Sequence, residues 1–451
     1  MASAAEQLAG SLNFGVLAKA TELKKRIWFT LGALIVFRIG TYVPVPGIDA
    51  AVMGEILAQH GGGILGMFDM FTGGALGRMT VFALNIMPYI SASIIVQLMS
   101  TAIPSWEALK KEGESGRKKL NQYTRYLTLL IAIVQAYGMA VGLEGMRGSS
   151  GPAVADPGGF FRFSSVVTLV GGTMFLMWIG EQITARGIGN GISLIIFAGI
   201  VANLPSALVS TLELGRTGAL STIFIIAFLL IALAVIAFVI FIERAQRRIP
   251  VTYPRRQVGN RMFNGENTHL PLKLNTAGVI PPIFASSLLL LPATIQGFAT
   301  DAPDNWFTGI ARLLAHGQPL YLAAYMAMII FFAFFYTAVV FNPTETADNL
   351  KKYNGNVPGI RPGQNTAEYF DRVLTRLTAV GALYLVIVCL LPEILISKYG
   401  VPFYFGGTSL LIIVSVTMDT VAQVQSHLFA HQYEGLIKKA KLGGRGQPTR
   451  R

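Results

Sequence analysis

Few residues in this 451-residue chain are placed to make or break bonds. Residues 186–191 read RGIGNG, a glycine cluster with no Lys-Ser/Thr pair after it. A phosphate loop needs that lysine at the β- and γ-phosphates and the hydroxyl on Mg²⁺, so the cluster reads as a flexible helix start. The five histidines (His60, His269, His316, His427 and His431) are scattered. His427 and His431 share a helical face at i, i+4, but no acidic partner completes a zinc pattern, and a solvated helix accounts for them. The single Cys389 sits inside an apolar run, so no intramolecular disulfide or redox chemistry is expected. Nucleophile motifs and paired catalytic carboxylates are missing from the sequence. These residues argue against an enzyme, and no cofactor or metal is expected.

The elements around these residues are apolar. The composition is 53% apolar and 13% charged, against about a quarter charged in soluble proteins, and the mean hydropathy is +0.54. Ten apolar segments, each near the roughly 20 residues a membrane helix needs, fall at 27–44, 78–101, 122–142, 163–181, 187–205, 218–242, 275–297, 319–341, 372–392 and 404–425. Of the 36 Lys and Arg residues, 29 lie in alternate gaps between these segments, at the two ends, or (Arg125, Arg372 and Arg376) in the opening residues of a segment that borders such a gap. Excess cations in one set of short loops mark the cytoplasmic face. An even number of crossings with cations at both ends puts both termini inside. The net charge of +13 is therefore read first as orientation, with attraction to anionic lipids. The N-terminal stretch shows no compact apolar run with a small-residue cleavage site, so the first span is expected to direct insertion.

Residues 61–77 (GGGILGMFDMFTGGALG) differ from the spans: the apolar stretch is about half a membrane thick, broken by Asp69 and bracketed by glycines. Such a piece reads as a re-entrant or an interfacial helix. Several spans are also oddly polar, with Ser91, Ser93 and Gln97 in the second, Gln135 in the third and Asn275 opening the seventh. Each alone fits tight helix packing; their number points to faces that line something wet or part from each other. Asp419, one to two turns from the inner end of the tenth span, is a functional candidate or simply hydrated. The two long inner loops, 243–274 and 342–371, are basic and rich in Pro, Gly and Asn, which suits docking of an acidic or nucleic-acid partner. Two functions remain: a secondary transporter of a small solute, and a passive conduit driven by an outside motor. The near absence of mid-membrane Asp, Glu and His counts against the transporter.

At FRIGTYVPVPGID (37–49), NIMPYISASIIVQL (85–98), KKEGESGRKK (110–119), GEQITARGIGNGIS (180–193), THLPLKLN (268–275), FNPTETADNLKK (341–352), PGIRPG (358–363) and VPFYFGGTSLLI (401–412), the chain resembles the SecY family of bacterial protein-translocation channels. The resemblance runs over nearly the whole length. It implies an all-α polytopic membrane protein with ten helices in two pseudo-symmetric halves, spans one to five (27–205) and six to ten (206–425), between a cytoplasmic segment 1–26 and a basic tail 426–451. It implies a pore ring at Ile86, Ile90, Ile192, Ile196, Ile283 and Ile412, of which 86/90 and 192/196 are i, i+4 pairs on one helical face. A plug near 64–74 would include Ile64, Met67, Phe68, Met70 and Phe71. Ser91, Gln135 and Asn275 match a polar cluster where spans two and three part from seven and eight as a lateral gate. Arg255, Arg256, Arg261 and Arg361 match docking positions for the SecA ATPase and the ribosome, although Pro254 and Asn260 stand where the family is commonly basic. SecE and SecG, small membrane subunits, are the further partners implied. Unfolded secretory and membrane polypeptides are the implied substrates, and the bacterial inner membrane is the implied location.

Overall fold

The computed structural model describes residues 21–60, 69, 71–148, 151–217, 221–253, 256–258, 261–263, 267–298, 318–399 and 407–443. In chain order the elements are α1 (Thr21–Gly40), α2 (Ala50–His60), α3 (Met87–Ala102), α4 (Pro104–Lys111), α5 (Glu114–Gly145), the short ribbon β1 (Arg147–Gly148) and β2 (Gly151–Pro152), α6 (Gly159–Arg186), α7 (Gly191–Arg216) and α8 (Thr222–Arg244). Strands β3 (Gln246–Thr252), β4 (Arg256–Val258), β5 (Arg261–Phe263) and β6 (Asn267–Lys273) follow, then α9 (Ile280–Phe298), α10 (Pro319–Val340), α11 (Pro343–Lys352), α12 (Gln364–Tyr399) and α13 (Gly407–Gly443).

A helix lies on each of the ten expected spans, in order: α1, α3, α5 to α10, α12 and α13. Among the described residues, seven helices are long and apolar enough to cross a membrane, and α3 with α4 makes an eighth if a pair bent by 104° counts as one span. The bend falls at Pro104, which cannot continue the hydrogen-bond ladder of the preceding turn. Helix α1 falls short because Lys24, Lys25, Arg26 and Arg38 crowd its 20 residues. Helix α9 runs 19 residues, of which Ile280–Leu289 are the ones whose side chains are described. Helix α3 starts nine residues later than the hydropathy of 78–101 implies. Residues 75–86 are turns instead, broken by a single bridge of Thr80 to Pro44, with left-handed backbone at Met79 (φ 42°) and Asn85 (φ 49°) and Pro88 in the first helical turn. Conversely, α7 continues past Pro205 and α12 past Pro392, since helix neighbours in a bundle re-satisfy the freed backbone groups.

The helices pack as two linked groups. Helix α5 lies between α3 and α6, α7 touches α6 and α13, and α10 lies between α9 and α12, which itself meets α13. The two groups close on one another where α9 packs against both α3 and α5. Outward faces carry Trp28, Ile35, Phe160, Phe163, Trp178 and Phe241, all exposed, as a lipid-facing surface requires.

The basic loop after α8 is built as ribbons. Strands β3 and β6 pair antiparallel from Gln246↔Lys273 to Thr252↔Asn267, and β4 pairs with β5. The second basic loop is stitched to the first: Thr252 and Asn356 exchange backbone hydrogen bonds of 2.8 and 2.9 Å. Ile249, Leu272, Val357, Phe370, Val373 and Leu374 form a separate buried cluster linking the ribbon, the second loop and α12.

Candidate functional site

Five isoleucines converge on one small void. Ile86 at the N-cap of α3, Ile90 in α3, Ile196 in α7, Ile283 in α9 and Ile412 in α13 line it, with Phe71, Met87, Asn85 and Ser286. The void is ≈ 10 Å³, room for about one water. Ile86 and Ile412 are each 1% exposed, and Ile90 and Ile196 are buried. β-branched side chains hold one χ1 well, so the ring keeps its shape, and it offers no hydrogen bond to anything passing. Ile192 does not line this void. It is half-buried and faces α6, where a Cβ on Gly180 would lie 3.2 Å from its Cγ1.

The segment leading into α3 is held tightly against this ring. Asn85 Nδ2 donates to Phe71 O at 2.7 Å. Arg38 Nη1 and Arg78 Nη2 both donate to Gly73 O, at 2.8 and 3.1 Å, and both guanidiniums lie over the Tyr42 ring. Gly73 adopts φ +70° with its backbone pressed on Gly199 of α7. Asp69 Oδ1 accepts the Gly77 N–H at 2.6 Å. Burial pushes the Asp69 carboxyl above its ordinary 3.8, against the lowering effect of that bond and of Arg78. Of the plug residues, Phe71 is buried; Ile64, Met67, Phe68 and Met70 lie outside the described residues.

On the side of the basic loops a cavity of ≈ 570 Å³ opens, with Asn190, Glu243, Lys273, Asn275, Asp419 and Gln423 among its lining residues. Lys273 Nζ and Asp419 Oδ1 are 3.8 Å apart with side chains 63% and 68% exposed, so Asp419 is the hydrated group at the mouth. The wall is knitted by Gly189 N–H to Gln423 Oε1 at 2.8 Å, joining α13 to the turn before α7. The RGIGNG cluster has a structural task here. Asn190 caps α7 by accepting from Ile192 N–H at 3.1 Å, and a Cβ at Gly191 would collide with Gly180 O. A polar mouth therefore narrows onto a dry isoleucine constriction.

The SecY family profile matches residues 80–421. The chain is 58% identical to the protein translocase subunit SecY of Escherichia coli K12 over 427 residues, 94% of this chain and 96% of that one. It is 55% identical to that of Rickettsia conorii, covering 93% and 97%. The chain belongs to the SecY family. A solved structure titled as that of a protein conducting channel shares its fold, with TM-score 0.65 and 18% identity over 90% of this chain and 92% of that one. So does Sec61 in the canine ribosome-channel complex, with TM-score 0.62 and 18% identity over the same shares.

Measured against the SecY pattern, the remaining positions fall out unevenly. Ser91 is buried on α3 and Gln135 lies on α5, the two helices against which α9 packs. Across that seam Ser287 Oγ lies 3.7 Å from Met87 Sδ. Among the described residues no hydrogen bond joins Ser91, Gln135 and Asn275. Asn275 Nδ2 instead donates to Glu243 Oε1 at 2.7 Å and to Gly278 O at 3.0 Å. Arg361 is exposed in the turn before α12, its carbonyl accepting from Thr366 Oγ1 at 2.9 Å. Arg256 and Arg261 are strand residues of β4 and β5; Arg255 lies outside the described residues. Sequence reasoning passed over Glu243, Asn85, Gly199 and the Arg38–Arg78 pair. Asn85, just before Ile86 and Pro88, was the readable one, since asparagine tolerates left-handed backbone.

Proposed function

We propose that this SecY-family chain is the protein-conducting subunit of a translocation channel, passing unfolded secretory polypeptides across the bacterial inner membrane and releasing transmembrane segments sideways into lipid. The observation that carries it is the ring of five isoleucines around a void for about one water beneath a polar mouth. An ion entering such a ring would lose its hydration without compensation, while the five isoleucines offer an unfolded chain of any sequence no hydrogen bond. The family assignment, together with the fold of a protein conducting channel, is why the small-solute transporter is set aside.

The finer roles follow the same reading. Residues 64–74 act as a plug on the outer side, and α3 and α5 part from α9 and α10 as the lateral gate, with Ser91, Gln135 and Asn275 at its seam. The two basic loops dock the motor, with Arg255, Arg256, Arg261 and Arg361 meeting SecA or ribosomal RNA. That the canine Sec61 channel is seen in a ribosome complex, and yeast Ssh1 bound to the 80S ribosome, supports the second. SecE and SecG complete the assembly, anionic lipids bind the basic face, both termini are cytoplasmic, and the halves 27–205 and 206–425 hinge about the pore. Photo-crosslinkers placed at Ile86, Ile90, Ile196, Ile283 and Ile412 should capture a stalled secretory precursor. Capture at lipid-facing Ile35 but at none of the five would overturn the reading.

A further inference from the structure

Glu243 ends α8 and Asn275 precedes α9, 32 positions apart with the whole basic ribbon between them. Their side chains meet at 2.7 Å, and one step further the Leu274 N–H donates to Ala245 O at 3.0 Å. The root of the ribbon is thus closed by one backbone bond and one charge-assisted side-chain bond. Asn275 is 4% exposed, and α12 backs the joint: a Cβ on Gly381 would sit 2.9 Å from Leu274 O. The carboxylate requires the amide NH₂ to face it, and the second bond of Nδ2, to Gly278 O at 3.0 Å, ties the same amide to the turn before α9. Both donors of Asn275 are therefore spent within the joint. Whatever Asn275 does at the seam it does by holding the start of α9, and Glu243 is what holds Asn275.

We infer that Glu243 is a positioning residue that clamps the root of the docking ribbon to the start of α9, so that movement of the ribbon is handed directly to the helix that closes on α3 and α5. This rests on the lateral-gate reading given above. A ligand or motor shifts such an equilibrium only by binding the two states differently, and a rigid joint is what lets docking on the ribbon favour the open seam. Without the clamp α9 is freer, and the closed seam loses part of its advantage in the undocked channel.

The test uses the full chain in its membrane complex, with Glu243→Gln, Glu243→Asp, Glu243→Leu, Asn275→Leu and the Leu/Leu double variant. Two readouts are taken: export of one precursor with a strong signal and one with a weakened signal, and disulfide trapping of the closed seam through Met87→Cys with Ser287→Cys. Glu243→Leu should raise weak-signal export by between about threefold, the mean for hydrogen bonds in membranes, and about tenfold, the low end for bonds to charged groups, and lower the trapping yield. Glu243→Gln keeps an acceptor at the same reach but not the charge, and should fall between the parent and Glu243→Leu. Glu243→Asp keeps the charge but not the reach and should resemble Leu. The double variant should match the stronger single variant, because both break one link. Parent-like trapping in Glu243→Leu and Glu243→Asp, or an additive double variant, overturns the inference. Should the parent channel itself fail to export the strong-signal precursor, the conduit reading falls, while the trapping yield still decides whether Glu243 holds the seam.

Discussion

Truncating the constriction should cost the channel its ion seal, and the structure says which isoleucines matter. Ile86 and Ile412 are each 1% exposed and line the ≈ 10 Å³ void from α3 and α13. An alanine at either removes three carbon atoms, a loss of about 2.4 kcal/mol in transfer terms at about 0.8 kcal/mol per methylene, and of about 2–5 kcal/mol once the cavity is counted. The space freed admits about two further waters at about 30 Å³ each. Water files carry ions, and recovering even about 1.4 kcal/mol of ion hydration speeds passage tenfold. Reconstituted into potassium-loaded liposomes, Ile86→Ala/Ile412→Ala should leak roughly tenfold or more faster than the parent. Ile192→Ala, at a position the family pattern places in the ring but which here packs toward Gly180 and lies outside the isoleucine-lined void, should stay within about twofold of it, by the same arithmetic. An ion-tight double variant, or an Ile192→Ala channel that leaks as much, would refute the reasoning.

Three further outcomes can be checked together. Arg361→Glu should abolish SecA-driven export in inverted vesicles while the protein inserts and accumulates normally, because the turn is held by its backbone carbonyl and not by the guanidinium, and a reversed rim charge acts on association. Gly199→Ala should raise both ion leak and weak-signal export, since its Cβ would fall 2.6 Å from Phe71 O and 3.4 Å from Gly73 N, forcing the segment beside the constriction to move. Asp69→Asn keeps an oxygen for the Gly77 N–H but cannot ionise. The Asp69 carboxyl, raised above 3.8 by burial, holds its proton more firmly folded than unfolded, so its contribution is complete below pH 3.8 and lost as the pH rises through the folded value. Thermal unfolding of the variant should lack that acid-side gain, and an identical pH profile would refute it.

The helices were legible because a bilayer imposes one rule, about 20 apolar residues per crossing, and charge alternation gave the order. Their ends were not. Hydropathy runs straight through residues 80–86, where the chain turns on Met79 and Asn85, because apolar side chains report burial and not backbone direction. It likewise stops at Pro205 and Pro392, where the helices go on. The constriction was legible only through family resemblance: an isoleucine at Ile90 and one at Ile95, 39% exposed on the same helix, are identical letters in an apolar run. The Glu243–Asn275 joint was hidden by its 32-residue separation, which only the ribbon fold closes.

The spacing between wet and dry residues recurs on three separate helices. From Asn275 at the mouth to Ile283 at the ring is eight residues, the last four of them the first turn of α9. On α13, Asp419 stands seven residues from Ile412, about 10 Å, and across the α7 start Asn190 stands six from Ile196, about 9 Å. All three polar residues line the mouth and all three isoleucines line the void. The cavity lining comes closer still, since Ser193, Ile280 and Ser415 each stand three residues from Ile196, Ile283 and Ile412, so on these three helices the wide mouth gives way to the ring within about one turn. The apolar barrier is then short and not a greasy tunnel: Ile86 and Ile90 stand one turn apart on α3, while α7, α9 and α13 give one isoleucine each. A thin barrier still strips an ion of water, because desolvation is set at the narrowest point, yet it presents a threading polypeptide with only a few residues' worth of apolar contact at a time. The seal and the passage are compatible for that reason, and a ring spread over two or three turns of each helix would lose it.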